Sequence, residues 1–264
     1  MRIALGQFNP IVGDIGGNAK KIIDFIDQAR SQDADLIVFP ELAIIGYPPR
    51  DLLSKPHIIR LCEKALRRIA SRVRDTAAIV GLPAVNLNTE GRPLYNAVAL
   101  IQNATIAGIY VKSLLPTYDV FDESRYFEPG GKPDIVGFDG HQLGISICED
   151  LWNDPAVMAR PLYHNNPIAE LVEAGANLLI NASASPFEAD KQTRRETLFA
   201  NHCRTHRVPL LFCNQVGGDD ELIFDGASAA FDENGHLIAR AKAFQEDLLI
   251  VDLADPGANR IEPY

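Results

Sequence analysis

Three residues able to act together on a carbonyl stand just past short apolar runs. Glu41 follows Leu36 to Phe39, Lys112 follows Ala107 to Val111, and Cys148 follows Gln142 to Ile147. A carboxylate can serve as general base, a thiol as nucleophile, and a fixed ammonium can stabilise the oxyanion of an attacked carbonyl. Strand ends that feed loops are where open α/β folds gather such groups. Taken singly, each residue has a plainer reading: a solvated loop glutamate, a surface lysine, an inert buried thiol. The other cysteines take that plainer reading, Cys62 and Cys203 on helix-like segments and Cys213 inside an apolar run. Cys148 opens the acidic stretch Cys148-Glu149-Asp150-Leu151-Trp152. Such a neighbourhood raises a thiol's pKa, so a functional Cys148 needs a nearby base or cation. Glu41 and Lys112 could supply both.

The elements that must position these residues alternate in kind. Ile3 to Phe8 reads as a strand, and Gly13-Asp14-Ile15-Gly16-Gly17 as a turn. Asn18 is expected to cap a helix carrying Ile22, Ile26 and Ala29 on one face. Leu36 to Phe39 reads as a buried strand, Ile58 to Arg74 as a helix, and Ala78 to Leu82 as a strand. Tyr95 to Ile101 and Ala107 to Val111 are expected to pair antiparallel about Gln102-Asn103-Ala104. A polar loop runs from Pro116 to Pro133. The order then repeats in outline: strand to Ile147, helix Ile168 to Ala174, strand Asn177 to Asn181, helix Lys191 to Arg207, strand Leu210 to Asn214. A hairpin about Asp232-Glu233-Asn234-Gly235 and a strand at Leu248 to Val251 complete it. One α/β domain over 1–253 is expected, with 254–264 of linker composition.

With 47% hydrophobic residues among 264, the chain can build a core without disulfide or metal staples. A formal charge of −10 argues against a nucleic-acid surface. The basic clusters Arg67, Arg68, Arg72, Arg74 and Arg194, Arg195 read as solvated helix faces. No apolar run approaches the ~20 residues of a membrane helix. Four separated cysteines without CxxC spacing suit reduced thiols in the cytoplasm. His202 and His206 share a helix face around Cys203. With no glutamate in the zinc-hydrolase position and no third ligand at a characteristic spacing, they read as satisfied or surface histidines, and no metal site is expected.

Phe39-Pro40-Glu41-Leu42, Tyr110-Val111-Lys112-Ser113-Leu114-Leu115-Pro116 and Ile147-Cys148-Glu149-Asp150-Leu151-Trp152 resemble, in order, the three catalytic motifs of the nitrilase superfamily. The resemblance extends to the N-terminal glutaminase domains of glutamine-dependent NAD⁺ synthetases. It does so through Gly46-Tyr47-Pro48-Pro49-Arg50-Asp51-Leu52-Leu53, through Leu114-Leu115-Pro116-Thr117-Tyr118-Asp119-Val120-Phe121-Asp122-Glu123, and through Asn181-Ala182-Ser183-Ala184-Ser185-Pro186-Phe187 with Lys191. It implies a four-layer αββα sandwich with two mixed sheets. It implies L-glutamine as substrate, Cys148 as nucleophile, Glu41 as base, and Lys112 with the backbone N–H after Cys148 as oxyanion donors.

The same resemblance places Glu123 as a second glutamate that positions Lys112 or the substrate. Tyr118, Ser185 and Lys191 match substrate-contacting positions, Lys191 suiting the α-carboxylate. Glu149 joins this binding group; Tyr47 lines the pocket or is a packed aromatic. No cofactor is implied for the hydrolysis, whereas ATP and Mg²⁺ belong to a synthetase domain. The Ser-Gly-Gly-x-Asp-Ser loop of that domain does not occur in the chain. A synthetase partner in cis or in trans is therefore implied, with assembly as a homo-oligomer; the linker-like tail favours a piece of a longer chain. The competing readings are a stand-alone ω-amidase, carbamoylase or nitrilase, and a binding module that kept the fold without the chemistry.

Overall fold

The computed structural model describes residues 1–154 and 160–264. Its elements run β1 (Arg2–Gln7), α1 (Ile15–Ser31), β2 (Leu36–Val38), α2 (Pro56–Ala70), β3 (Ala77–Val85), β4 (Leu94–Gln102), β5 (Thr105–Val111), β6 (Ile135–Phe138), β7 (His141–Ile147), α3 (Pro167–Glu173), β8 (Leu178–Ser183), α4 (Lys191–His206), β9 (Leu210–Asn214), β10 (Val216–Asp219), β11 (Leu222–Asp225), β12 (Ala229–Phe231), β13 (Leu237–Arg240) and β14 (Asp247–Asp252). One sheet has the order β14-β1-β2-β3-β4-β5 and the other β13-β12-β9-β8-β7-β6. In each, three parallel strands (β1-β2-β3 and β7-β8-β9) are flanked by antiparallel ones. The repeated element order in the sequence is thus a repeated half-fold.

The period-2 alternation of the strands builds the layers. Ile3, Leu5, Leu36 and Val38 face Ile145, Ile147, Leu178, Ile180 and Leu211 in a core between the sheets. Their sequence neighbours Ala4 and Ile37 face the other way, onto Ile22, Ile26, Leu66 and Ile69 of α1 and α2. Leu179, Leu210 and Phe212 likewise face Leu171, Leu198 and Phe199 of α3 and α4. Each of the Leu, Ile, Val and Phe side chains among these, fully buried, is worth about 1.5–3 kcal/mol. The result is the four-layer αββα sandwich with two mixed sheets.

Three local expectations are corrected. Helix α1 starts at Ile15, and Asp14 is its cap, its Oδ1 accepting from Gly17 N at 2.9 Å. Asn18 is buried one turn in, where its amide closes on Ile11 N and O and on Ile44 O. Strand β6 and the antiparallel ribbon β10–β11 were not expected, being short and interrupted by glycine or charge. Arg194 is exposed, but Arg195 is not a solvated residue: it is 1% exposed and pairs through its two terminal guanidinium nitrogens with Asp225. The residues after 253 are tied back to the fold. Arg240 exchanges backbone hydrogen bonds with Arg260 and Glu262, and the Tyr264 hydroxyl donates to Asp225 at 3.0 Å.

Candidate active site

Glu41 sits in the tight turn after β2. Phe39 N donates to Ile79 O at 2.9 Å and Ile44 N to Gly81 O at 3.0 Å, which clamps the turn onto β3. Only glycine fits at position 81, because a Cβ there would lie 2.4 Å from Leu42 N and Pro40 O. Lys112 follows β5, its N–H donating to Asn96 O at 2.9 Å. Cys148 follows β7 at φ 42°, a left-handed conformation that few non-glycine residues adopt, and opens a single 3-10 turn over Cys148–Leu151. Asp150 holds that turn. Its Oδ2 accepts from Ile147 N at 2.9 Å, and its Oδ1 from Ser113 N at 3.0 Å and Leu114 N at 2.8 Å. One carboxylate therefore ties the turn of Cys148 on one sheet to the segment leaving Lys112 on the other.

The three expected residues converge with Glu123. Lys112 Nζ donates to Glu41 Oε1 at 2.6 Å and to both Glu123 oxygens at 2.8 and 2.9 Å. Asn96 Nδ2 donates to Glu41 Oε1 at 2.7 Å and Glu123 Oε2 at 3.2 Å. The Tyr47 hydroxyl donates to Glu123 Oε1 at 2.9 Å, and Ala184 N donates to Glu41 Oε2 at 3.1 Å. Glu41 and Lys112 are 0% exposed, so these contacts act without solvent screening.

Burial works against the Lys112 ammonium, but Glu123 and Glu41 outweigh it and hold its pKa well above the ordinary lysine value. Lys112 is therefore a permanent cation and cannot be the base. Burial, then Glu41, pushes the Cys148 thiol well above its usual value, and Lys112 offsets only part of this. Cys148 therefore rests as a thiol. Burial also lifts Glu123 to about 7 against the pull of Lys112. Three donors saturate Glu41 Oε1 and one side of Oε2, which leaves Oε2 an open acceptor position.

A cavity of about 300 Å³ opens on Cys148, with Tyr118, Glu149, Trp152, Ser185 and Lys191 in its wall. Glu149 is gripped by the hydroxyls of Tyr118 and Tyr163, each at 3.0 Å, and burial raises its pKa. Lys191 is the first residue of α4, its Nζ 5.5 Å from the Trp152 ring centroid. Burial, then Arg195, lowers its pKa. Ser185 is held at its backbone, N donating to Asn214 Oδ1 at 2.8 Å and O accepting from Asn214 Nδ2 at 3.2 Å.

Tyr47 does not line this cavity. It stands behind the carboxylates, bonded to Glu123 and bordering a separate cavity of about 400 Å³. Asn96, Asp150, Tyr163 and Asn214 were not singled out in the sequence. The usable signals were Asn96 as a lone amide in the apolar run from Leu94 to Ile101, and Asp150 two residues past the cysteine. His202 Nε2 pairs with Leu151 O at 2.7 Å, and no group of three or more potential metal ligands occurs among the described residues. No helix among the described residues is long and apolar enough to cross a membrane.

A family profile described as carbon-nitrogen hydrolase matches residues 2–258, and the chain belongs to that family, within the nitrilase superfamily. It is 43% identical over 253 residues to a glutamine-dependent NAD(+) synthetase of Synechocystis sp., covering 94% of this chain and 45% of that protein. The solved glutamine-dependent NAD⁺ synthetase of Acinetobacter baumannii superposes with a TM-score of 0.86 at 35% identity, over 97% of this chain and 46% of that one. An amidase from Nesterenkonia sp. superposes at TM-score 0.80 and 25% identity, over 96% of this chain and 90% of that one. The chain thus spans less than half the length of the synthetases it matches and nearly all of the amidase.

Proposed function

We propose that this chain is a glutamine amidohydrolase that releases glutamate and ammonia through a thioester on Cys148. The observation that carries this reading is the cavity. A buried carboxylate, Glu149, and a half-buried ammonium, Lys191, border the same space as the thiol and complement the α-ammonium and α-carboxylate of an amino acid. Tyr118 and Ser185 contribute to the same wall. The identity to glutamine-dependent synthetases supports the choice of amino acid.

In this reading Cys148 Sγ attacks the side-chain amide carbon of glutamine while Glu41 takes the thiol proton. Lys112 and the Glu149 N–H hold the oxyanion of the tetrahedral intermediate. The C–N bond then breaks, with Glu41 returning the proton to departing ammonia and leaving a γ-glutamyl thioester. Glu41 next draws a proton from water, whose oxygen attacks the thioester carbon. Sulfur leaves with the proton and glutamate is released. Glu123 keeps Lys112 aimed, and Tyr47 keeps Glu123 in place.

The hydrolysis as drawn uses no cofactor. The relatives' length suggests the destination of the ammonia: ATP- and Mg²⁺-dependent amidation of nicotinic acid adenine dinucleotide by a synthetase domain, in cis or in trans. Residues 1–253 form the hydrolase unit in this proposal, working in the cytoplasm as part of a homo-oligomer. Ammonia release from glutamine, asparagine, N-carbamoyl amino acids and nitriles, measured side by side at millimolar concentration, tests the substrate. Turnover of another of these, and none of glutamine, would move the chain to a stand-alone amidase.

A further inference from the structure

Asn96 is the one polar side chain inside the apolar stretch of β4, and it is 0% exposed. Its amide has a marked asymmetry. The two N–H bonds of Nδ2 serve two different carboxylates, Glu41 at 2.7 Å and Glu123 at 3.2 Å, while Oδ1 is buried with no partner among the described residues. An apolar side chain of the same shape would avoid the unpaired carbonyl. Rotating the amide would instead aim that carbonyl at two carboxylates, so the orientation is determined by its neighbours. The contact is also local to the chemistry, because the backbone oxygen of Asn96 receives the N–H of Lys112 at 2.9 Å.

We infer that Asn96 is a positioning residue that holds Glu41 and Glu123 side by side and decides which oxygen of Glu41 acts as base. This rests on the reading of the site given above. Lys112 is a single cation serving two acids, and burial penalises both. Asn96 adds a neutral donor to each acid without adding charge. With Lys112 it occupies Glu41 Oε1 twice over, so the thiol proton has only Oε2 to go to. The charged and titratable groups around it are Glu41, Lys112, Glu123 and Tyr47, with Cys148 and Glu149 from the opposite sheet.

Asn96→Leu removes both donors at similar volume. Asn96→Asp keeps the shape, but in its protonated form offers one O–H where the amide offered two N–H. Two readouts are needed for each variant: kcat and KM for glutamine between about pH 5 and 9, and the pH dependence of Cys148 alkylation by chloroacetamide, which needs no substrate. The other three cysteines are fully buried and do not compete. The expected result is a kcat about 10- to 100-fold lower with KM unchanged. The acid limb of both profiles should move up by about one pH unit. If Asn96→Leu does not fold, the isosteric Asn96→Asp carries the test. Folded variants whose acid limbs superpose on the parent's, or whose loss falls on KM, would overturn the inference. If the parent itself releases no ammonia from glutamine, the substrate reading fails, while the alkylation profiles still decide the role of Asn96.

Discussion

Lys112→Met is the sharpest single perturbation of this site. It keeps most of the length of the side chain and removes the cation that Glu41 and Glu123 share, at 2.6 and 2.8 Å and out of contact with water. Breaking a buried ion pair by removing one partner costs about 3–5 kcal/mol, because the other charge stays buried and unpaired. In a domain of this size each kcal/mol moves Tm by about 2–4 °C, so Tm should fall by about 10 °C. The sign of the pH dependence follows from Glu123, which lies at about 7 even with Lys112 beside it. Without the lysine it rises further. A carboxyl raised in the folded state contributes stability that is fully present below the unfolded value of about 4.3 and is lost as pH rises through the folded one. The variant should therefore lose more stability than the parent between pH 5.5 and 8.5, by about 1.4 kcal/mol per pH unit for each extra proton retained. The parent carries the same sign more weakly through Glu123 and Asp150, both near 7, so the two must be read against each other. Turnover, followed as ammonia release, should drop by at least ~10²–10³, the usual loss for one oxyanion donor. The double variant Lys112→Met/Glu123→Gln should regain part of the stability and none of the turnover. A single variant with kcat within about tenfold of the parent, or with an unchanged pH dependence of melting, would refute the assignment of Lys112 as the permanent cation.

Three further outcomes are expected, beside that for Asn96. A glutamine-mimicking electrophile should add once, at Cys148, and not at all to Cys148→Ala; intact-mass spectrometry reads this directly, and a second adduct on another cysteine would count against it. Lys191→Met should raise KM for glutamine by about 10-fold or more, with kcat little changed, as expected for loss of a charge-assisted contact to the α-carboxylate; steady-state kinetics with glutamine and with a simple aliphatic amide separate binding from chemistry. Gly81→Ala should cut kcat by about 100-fold although residue 81 touches no substrate, because its Cβ would displace the turn carrying Glu41, and misplacement of a base by about 1 Å is enough.

Much of the architecture was legible because the strands are short apolar runs punctuated by turn residues. The pairing of β4 with β5 could be read from its two-residue turn, where Asn103 and Ala104 both take positive φ. The layering could not be read from periodicity, since a strand buried on both faces, such as Leu36–Val38, carries no alternation to say which face meets which layer. It came from the resemblance. Site residues were legible where a charged side chain interrupts an apolar run, as at Glu41 and Lys112. Asn96 and Asn214 escaped because an amide in a strand carries no mark of the partner it will meet. Arg195 was misread for the same reason: adjacent arginines on a helix lie about 100° apart, and nothing local distinguishes the exposed Arg194 from its buried neighbour.

The charge count of the site explains why such a buried thiol can serve as nucleophile. In the proposed mechanism Glu41 starts as the carboxylate base beside the Lys112 ammonium and the Cys148 thiol, with Glu123, its pKa about 7, next to them. In the proposed attack the proton leaves sulfur for Glu41 and the negative charge appears on the oxyanion, so the sum does not change. Burial penalises the creation of charge, and it is the leading reason that the free Cys148 thiolate is unfavourable. It does not penalise moving a charge between two positions that the same lysine serves. An isolated thiolate is thus never required, and the high thiol pKa becomes a safeguard against stray alkylation and oxidation rather than a barrier. The requirement transfers to geometry: base, lysine and sulfur must stay in register although Glu41 and Lys112 hang from one sheet and Cys148 from the other. Asp150, accepting N–H groups from both sides of that divide, is the residue that meets it.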